Sequence, residues 1–253
     1  QNNSGTWQQI GSDIDGEAAR DQFGFSVSLS DDGSIVAIGG LGNDDNGSNS
    51  GHVRIYQNNS GTWQQIGSDI DGEAANDNSG ISVSLSGDGS IVAIGAYGND
   101  NNGSNSGHVR IYQNNSGTWQ QIGSDIDGEA SDDRFGYSAS ISDDGSIIAI
   151  GAYGNDDNGT NSGHVRIYKN NSGTWQQIGS DIDGEAAYDS SGQTVSLSDD
   201  GTVVAIGGRR NDGNGIDSGH VRIYQNNSGT WQQVGSDIDG EAAGDFSGYS
   251  VSL

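Results

Sequence analysis

The segment Gly5-Thr6-Trp7-Gln8-Gln9-Ile10-Gly11-Ser12-Asp13-Ile14-Asp15-Gly16-Glu17 returns almost letter for letter around Trp63, Trp119, Trp175 and Trp231. The spacing is 56 residues each time, and these five positions hold every tryptophan of the chain. A period this strict means one small structural unit per repeat, unable to bury its apolar face without its neighbours. The units run 1–56, 57–112, 113–168 and 169–224, with a partial unit at 225–253. Both ends match the interior repeats instead of ending in polar caps. The expectation is a single repeat array, 1–253, that is a window of a longer chain or assembly.

Within one unit the apolar residues fall into four short runs. Thr6 to Ile10 alternates as a strand, followed by a polar loop from Gly11 to Gln22. Phe25, Val27 and Leu29 alternate with Ser26 and Ser28 in a second strand. Ser30-Asp31-Asp32-Gly33 reads as a hairpin turn, with Asp-Gly supplying the positive φ of a primed turn. Ser34-Ile35-Val36-Ala37-Ile38-Gly39 is continuously apolar, as in a strand buried on both faces. After an Asn/Asp/Gly/Ser loop comes His52-Val53-Arg54-Ile55-Tyr56, and then an Asn-Asn-Ser-Gly turn restarts the cycle. Four strands without a helical pattern predict an all-β fold of tandem four-stranded antiparallel repeats, β-propeller-like blades. An open β-repeat array or a β-solenoid is the alternative.

Several classes are disfavoured by composition. Thirty-five acidic residues against nine basic ones give a net charge of −26, which repels nucleic acid and anionic membranes. No apolar run approaches the ~20 residues of a membrane span, so membrane insertion is not expected. Without cysteine there is neither a disulfide nor a zinc–thiolate site.

Phe23-Gly24-Phe25-Ser26-Val27 and Gly95-Ala96-Tyr97 recur as Phe135-Gly136-Tyr137-Ser138-Ala139 and Gly151-Ala152-Tyr153. Together they resemble the FG-GAP repeat of integrin-α-type propellers, with His52-Val53-Arg54-Ile55-Tyr56 in the place of that family's Gly-x-Val-Tyr-Val-Tyr strand. The resemblance implies propeller blades and an extracellular or cell-surface setting. Two repeats depart from it, reading Ser79-Gly80-Ile81 and Ser191-Gly192-Gln193. The family's calcium loop lies between the first two strands, where this chain has only the Ser30-Asp31-Asp32-Gly33 turn and its copies.

A different acidic pattern points to calcium. Asp13, Asp15, Glu17 and Asp21 recur as Asp69, Asp71, Glu73 and Asp77, then Asp125, Asp127, Glu129 and Asp133, then Asp181, Asp183, Glu185 and Asp189. Strand order places this loop at the same sheet end as Asn43-Asp44-Asp45-Asn46, gathering the oxygen ligands that Ca²⁺ needs. Asn-x-Ser/Thr sequons recur at Asn2, Asn58, Asn114, Asn170 and Asn226, and at Asn46, Asn102 and Asn158, as carriers of N-linked glycans in a eukaryotic source. His52, His108, His164 and His220 read as strand-edge polar residues. Arg54 and its copies are expected to pair with carboxylates. The tryptophans either anchor blade cores or offer sugar-stacking platforms.

Near-identical repeats argue against an enzyme, since one active site would need one blade to differ, and no nucleophile–base–acid set is evident. The expected function is a non-catalytic extracellular structural or adhesive array, a glycosylated building block of a surface fibre. Its expected partners are copies of itself, docked head to tail, or further repeats. A multivalent carbohydrate-binding propeller is the alternative.

Overall fold

The computed structural model describes residues 2–253, with the backbone alone at Asn2 and Asn3. Among them there is no helix. A short hairpin, β1 (Asn2–Asn3) against β2 (Thr6–Trp7), comes first. Blade 1 follows as β3 (Phe23–Leu29), β4 (Ile35–Gly40), β5 (His52–Asn59) and β6 (Thr62–Gln65), each antiparallel to the one before, with β7 (Ile70–Asp71) paired to the start of β5. Blade 2 repeats the plan as β8 (Ser82–Leu85), β9 (Ile91–Ala96), β10 (His108–Asn115), β11 (Thr118–Gln121) and β12 (Ile126–Asp127). Blade 3 comprises β13 (Ser138–Ile141), β14 (Ile147–Ala152), β15 (His164–Asn171), β16 (Thr174–Gln177) and β17 (Ile182–Asp183). Blade 4 comprises β18 (Thr194–Leu197), β19 (Val203–Gly208), β20 (His220–Asn227), β21 (Thr230–Gln233) and β22 (Ile238–Asp239).

The continuous apolar run takes the place its composition demands. β4 lies between β3 and β5, and Val36, Ala37 and Ile38 are buried, as are their copies in β9, β14 and β19. The turn before it is not a primed one. Only Gly33 has positive φ (67°), while the Asp32 carboxylate accepts hydrogen bonds from the Ser34 amide (2.8 Å) and the Ser30 hydroxyl (2.9 Å). This is a longer hairpin loop whose last residue is left-handed. The outer strand also differs from expectation, because the stretch read as a polar loop contributes a second strand segment. Ile70 and its copies pair with the start of the His-Val-Arg strand, and Ile70, Ile126 and Ile182 are buried there.

Cores form between blades. Val83 and Leu85 of β8 pack back onto Ala37, Val53, Ile55 and Ile70 of blade 1. The serines on the opposite face of each inner strand bond forward: Ser28 Oγ accepts from the Leu85 amide (3.0 Å), and Ser26 Oγ donates to the Gly80 carbonyl (2.7 Å). So the apolar/Ser alternation gives each blade a backward oily face and a forward polar one. Gly39, Gly95, Gly151 and Gly207 permit the approach, since a Cβ there would overlap the carbonyl oxygen of the next blade's glycine.

Blades follow one another through inner strands β3, β8, β13 and β18, and no such packing joins β18 back to β3. The array is open. Its end strands differ from expectation. The strand read at Thr6–Ile10 spans only Thr6–Trp7, and Tyr249–Leu253 forms no strand, although Ser247 just before it bridges to Gly219 and the Leu253 amide donates to Ser196 Oγ (2.9 Å). In blades 1 to 4 the inner segment pairs with the apolar strand that follows it.

Candidate functional site

Three connections converge on the start of each His-Val-Arg-Ile-Tyr strand: the linker entering the blade, the long loop before the strand, and the break in the outer strand. An arginine ties the linker down. Arg54 Nη2 donates to the Asp15 carbonyl (2.9 Å), its Nη1 stands 3.4 Å from Glu17, and its guanidinium covers the Phe23 ring at 4.3 Å. Arg110, Arg166 and Arg222 repeat the contact with Asp71, Asp127 and Asp183 carbonyls and lie 3.5, 3.0 and 3.9 Å from Glu73, Glu129 and Glu185. The expected arginine–carboxylate pairs are therefore present.

The acidic motif splits by role. Asp21, Asp77, Asp133 and Asp189 are buried and accept the amides of Ala18, Ala74, Ala130 and Ala186, closing a turn of the linker. Asp15, Asp71, Asp127 and Asp183 receive the arginines through their carbonyls. Burial first, then the charge of Asp69, pushes the Asp71 carboxyl up; burial raises Asp127 and Asp183 as well. The first acid of one motif and the glutamate of the previous one meet instead. Glu17, Asp45, His52 and Asp69 form one cluster, with ligand-capable atoms all within 4.8 Å of one another. Glu129, Asp157, His164 and Asp181 form the equivalent in blade 3. Blades 2 and 4 hold three such groups, Glu73, His108 and Asp125, and Glu185, His220 and Asp237. The missing fourth position is Asn101 in one and Gly213 in the other. Asp13 belongs to none of the four, since no His-Val-Arg strand precedes it among the described residues.

The histidines correct the strand-edge reading. All four are fully buried, and neither ring nitrogen of any of them has a hydrogen-bond partner. Nδ1 faces the carboxylates, 3.6 Å from Asp69, 3.8 Å from Asp125, 3.6 Å from Asp181 and 3.7 Å from Asp237. Burial, reinforced by the adjacent arginine, lowers the pKa of His108 and His164 to about 4 and lowers that of His220. The second oxygen of each aspartate is held by a glutamine four residues earlier, as in Gln65 Nε2 to Asp69 Oδ1 and Gln121 Nε2 to Asp125 Oδ1 (2.6 Å). The sequence offered a signal for this, a histidine in fixed register with the acidic motif, but one strand alone does not reveal what its first residue faces.

The sequons divide in the same way. Asn46, Asn102 and Asn158 spend their amide nitrogens on the carbonyls of Gly72, Gly128 and Gly184 (2.7, 2.9 and 2.7 Å). Asn58, Asn114, Asn170 and Asn226 accept a turn amide through Oδ1. The side chain of Asn2 lies outside the described residues. Each interior tryptophan reaches the preceding repeat, with Trp63, Trp119, Trp175 and Trp231 donating to the carbonyls of Ile10, Ile66, Ile122 and Ile178 (2.9–3.0 Å).

The sequence profile of the FG-GAP repeat matches residues 13–56, 69–112 and 125–168, just over half of the chain. The chain belongs to the FG-GAP repeat family. It is a β-propeller-like repeat protein, and each matched FG-GAP unit runs from the first acid of the linker to the tyrosine of the His-Val-Arg strand. One unit thus supplies a cluster's glutamate and histidine, and the next unit supplies its aspartate. No curated protein matches the chain at a significant level.

Solved structures share the fold. A Bacteroides uniformis ATCC 8492 protein provisionally assigned as a 6-phosphogluconolactonase superposes with TM-score 0.58 at 14% identity, over 85% of this chain and 56% of that one. The periplasmic gluconolactonase PpgL of Pseudomonas aeruginosa gives 0.57 at 17% identity, over 87% and 58%. Hydrazine synthase of Kuenenia stuttgartiensis gives 0.52 at 13%, over 90% and 53%. The chain therefore spans a little over half the length of these structures, and at such identities the likeness establishes the fold alone. It also overturns the expectation that the chain is not an enzyme, because lactonases carry this architecture. Among the described residues no helix is long and apolar enough to cross a membrane.

Proposed function

We propose that this chain is an extracellular structural or adhesive segment whose end blades are completed by further blades of the same repeat, from the same chain or from a second copy docked head to tail. The supporting observation is the backward face of blade 1. Val27 and Leu29 are 56% and 57% exposed, whereas their counterparts Val83 and Leu85 are 9% and 7% exposed beneath blade 1. Three interior junctions indicate what such a face accepts: the forward serine face of another blade. Heterologous contacts of this kind close into rings or run on as fibres. A net charge of −26 and the sequons at exposed Asn46, Asn102 and Asn158 favour an extracellular setting, with N-linked glycans in a eukaryotic source.

Light scattering on residues 1–253 across a concentration series tests the proposal. Association that Leu29→Asp abolishes, with the β-sheet circular dichroism unchanged, is the expected result. A folded monomer at every concentration overturns the head-to-tail docking.

A second reading, multivalent carbohydrate binding, rests on three grooves between blades. Trp119 and Tyr112 face Asp69 and Asp71 across a space of about 340 Å³, and copies near Trp63 and Trp175 measure about 280 and 380 Å³. Glycan-array binding that disappears in Trp119→Ala would support it.

A further inference from the structure

An imidazole buried against carboxylates ordinarily donates to one of them or turns away. The histidines of all four blades do neither. Their Nδ1 atoms stand 3.6–3.9 Å from the facing carboxylate oxygens, beyond the roughly 2.7–3.2 Å of a hydrogen bond. Two ligands of one tetrahedral ion, each bonded at about 2.0–2.1 Å, stand about 3.3–3.4 Å apart. The nearest carboxylate oxygen in each blade lies a few tenths of an ångström beyond that value, and the ligand atoms of each cluster all lie within 4.8 Å of one another. Leaving the buried Nδ1 without a partner is costly unless a cation fills the space between it and the carboxylates.

We propose that each histidine–carboxylate cluster binds a divalent first-row transition-metal ion, with zinc as the best fit, and that blades 1 and 3 hold the two tight sites. Each site takes Nδ1 of the histidine, the aspartate of the outer-strand break and the glutamate of the entering linker. Asp45 and Asp157 add a fourth ligand, a third carboxylate oxygen, in blades 1 and 3. Asn101 and Gly213 withhold that charge in blades 2 and 4, leaving two weaker sites. The nitrogen ligand separates these sites from a calcium loop, which is built from six to eight oxygens. Imidazole with carboxylates suits zinc and its neighbours.

The supporting groups follow the pattern of a metal's outer shell. Gln65, Gln121, Gln177 and Gln233 hold the far oxygen of the ligating aspartate and leave the near one aimed at the histidine. Arg54 and its copies fix the glutamate from the other side. The far ring nitrogen, Nε2, packs against the blade backbone at Gly40 in blade 1. Because the ligands come from two successive units, bound metal would clamp the linker that joins neighbouring blades. This inference is independent of the head-to-tail reading, since every cluster is complete within one chain.

The test is a Zn²⁺ titration by calorimetry on EDTA-stripped protein, residues 1–253, with Co²⁺ absorption as the coordination probe. Two tight and two weaker sites are expected, with Co²⁺ bands of low-symmetry tetrahedral character. The double variant His52→Asn/His164→Asn should lose both tight sites. Asn101→Asp should gain one, raising the tight count from two to three, and this reads the proposal even if the histidine variants fail to fold. Absence of saturable Zn²⁺ binding overturns the proposal. So does tight Ca²⁺ binding that is indifferent to the histidine substitutions, which would mark a carboxylate rim without a nitrogen ligand. A tight-site count left at two in a folded Asn101→Asp protein overturns the ranking of the blades.

Discussion

Blade 1 and blade 2 carry nearly the same sequence, yet the same face of their inner strands meets opposite surroundings. Val27 and Leu29 lie open, while Val83 and Leu85 are buried against the blade before them. Trp7 is 79% exposed; Trp119, its copy two repeats on, packs at a junction and donates its indole N–H to Ile66. The difference teaches that the unit of stability is the junction between blades, not the blade. Each apolar face is half of a core whose other half lies about one repeat away in sequence, as in other stacked repeats. The rim behaves differently. His52 in blade 1 is as buried as His164 in blade 3, because its surroundings come from its own blade and the linker that enters it.

The largest expected contrast is in the core. Ile94→Ala removes a side chain that is 1% exposed at the junction of blades 1 and 2, and should cost about 2–5 kcal/mol in urea denaturation. Leu29→Ala on the open face should cost less than about 0.5 kcal/mol in a monomeric preparation. Equal losses at the two positions would break the distinction between junction and open face.

The second contrast concerns pH, in metal-free protein. The unfolded imidazole takes up its proton near 6.5, the folded His164 only near 4. Between these values the unfolded chain holds more protons, so this contribution to stability is intact above about pH 6.5 and falls as pH drops toward 4. The slope is up to about 1.4 kcal/mol per pH unit for a fully titrating group. Glu129, raised chiefly by burial, acts oppositely, its contribution being lost as pH rises. Measuring His164→Gln beside the parent removes that shared background. The parent should lose ground to the variant as pH falls from 6.5 to 4, and parallel curves would refute a neutral buried histidine.

The smallest contrast is at the tryptophans. Trp119→Phe keeps most of the packing and strands the Ile66 carbonyl, at about 0.5–1.5 kcal/mol. Trp7→Phe should leave the urea midpoint unchanged. Trp7 should also be the tryptophan most readily quenched by iodide, which a set of single-tryptophan proteins would measure.

Much was legible in the chain by itself. The 56-residue period, the alternation of Phe25, Val27 and Leu29 with serines, and the apolar Ile-Val-Ala-Ile run determined four-stranded blades with the apolar strand inside. These are local patterns, and a side-chain period of two specifies faces without any partner. The tertiary structure alone decided which face meets which. It sent the fourth acid of each motif into a turn, drew Ile70 into the outer strand, and set Glu17 and Asp69 of successive repeats around a buried histidine. Sequence spacing could not reveal that meeting, because Glu17 and Asp69 are joined only by a whole blade whose packing closes the distance between them.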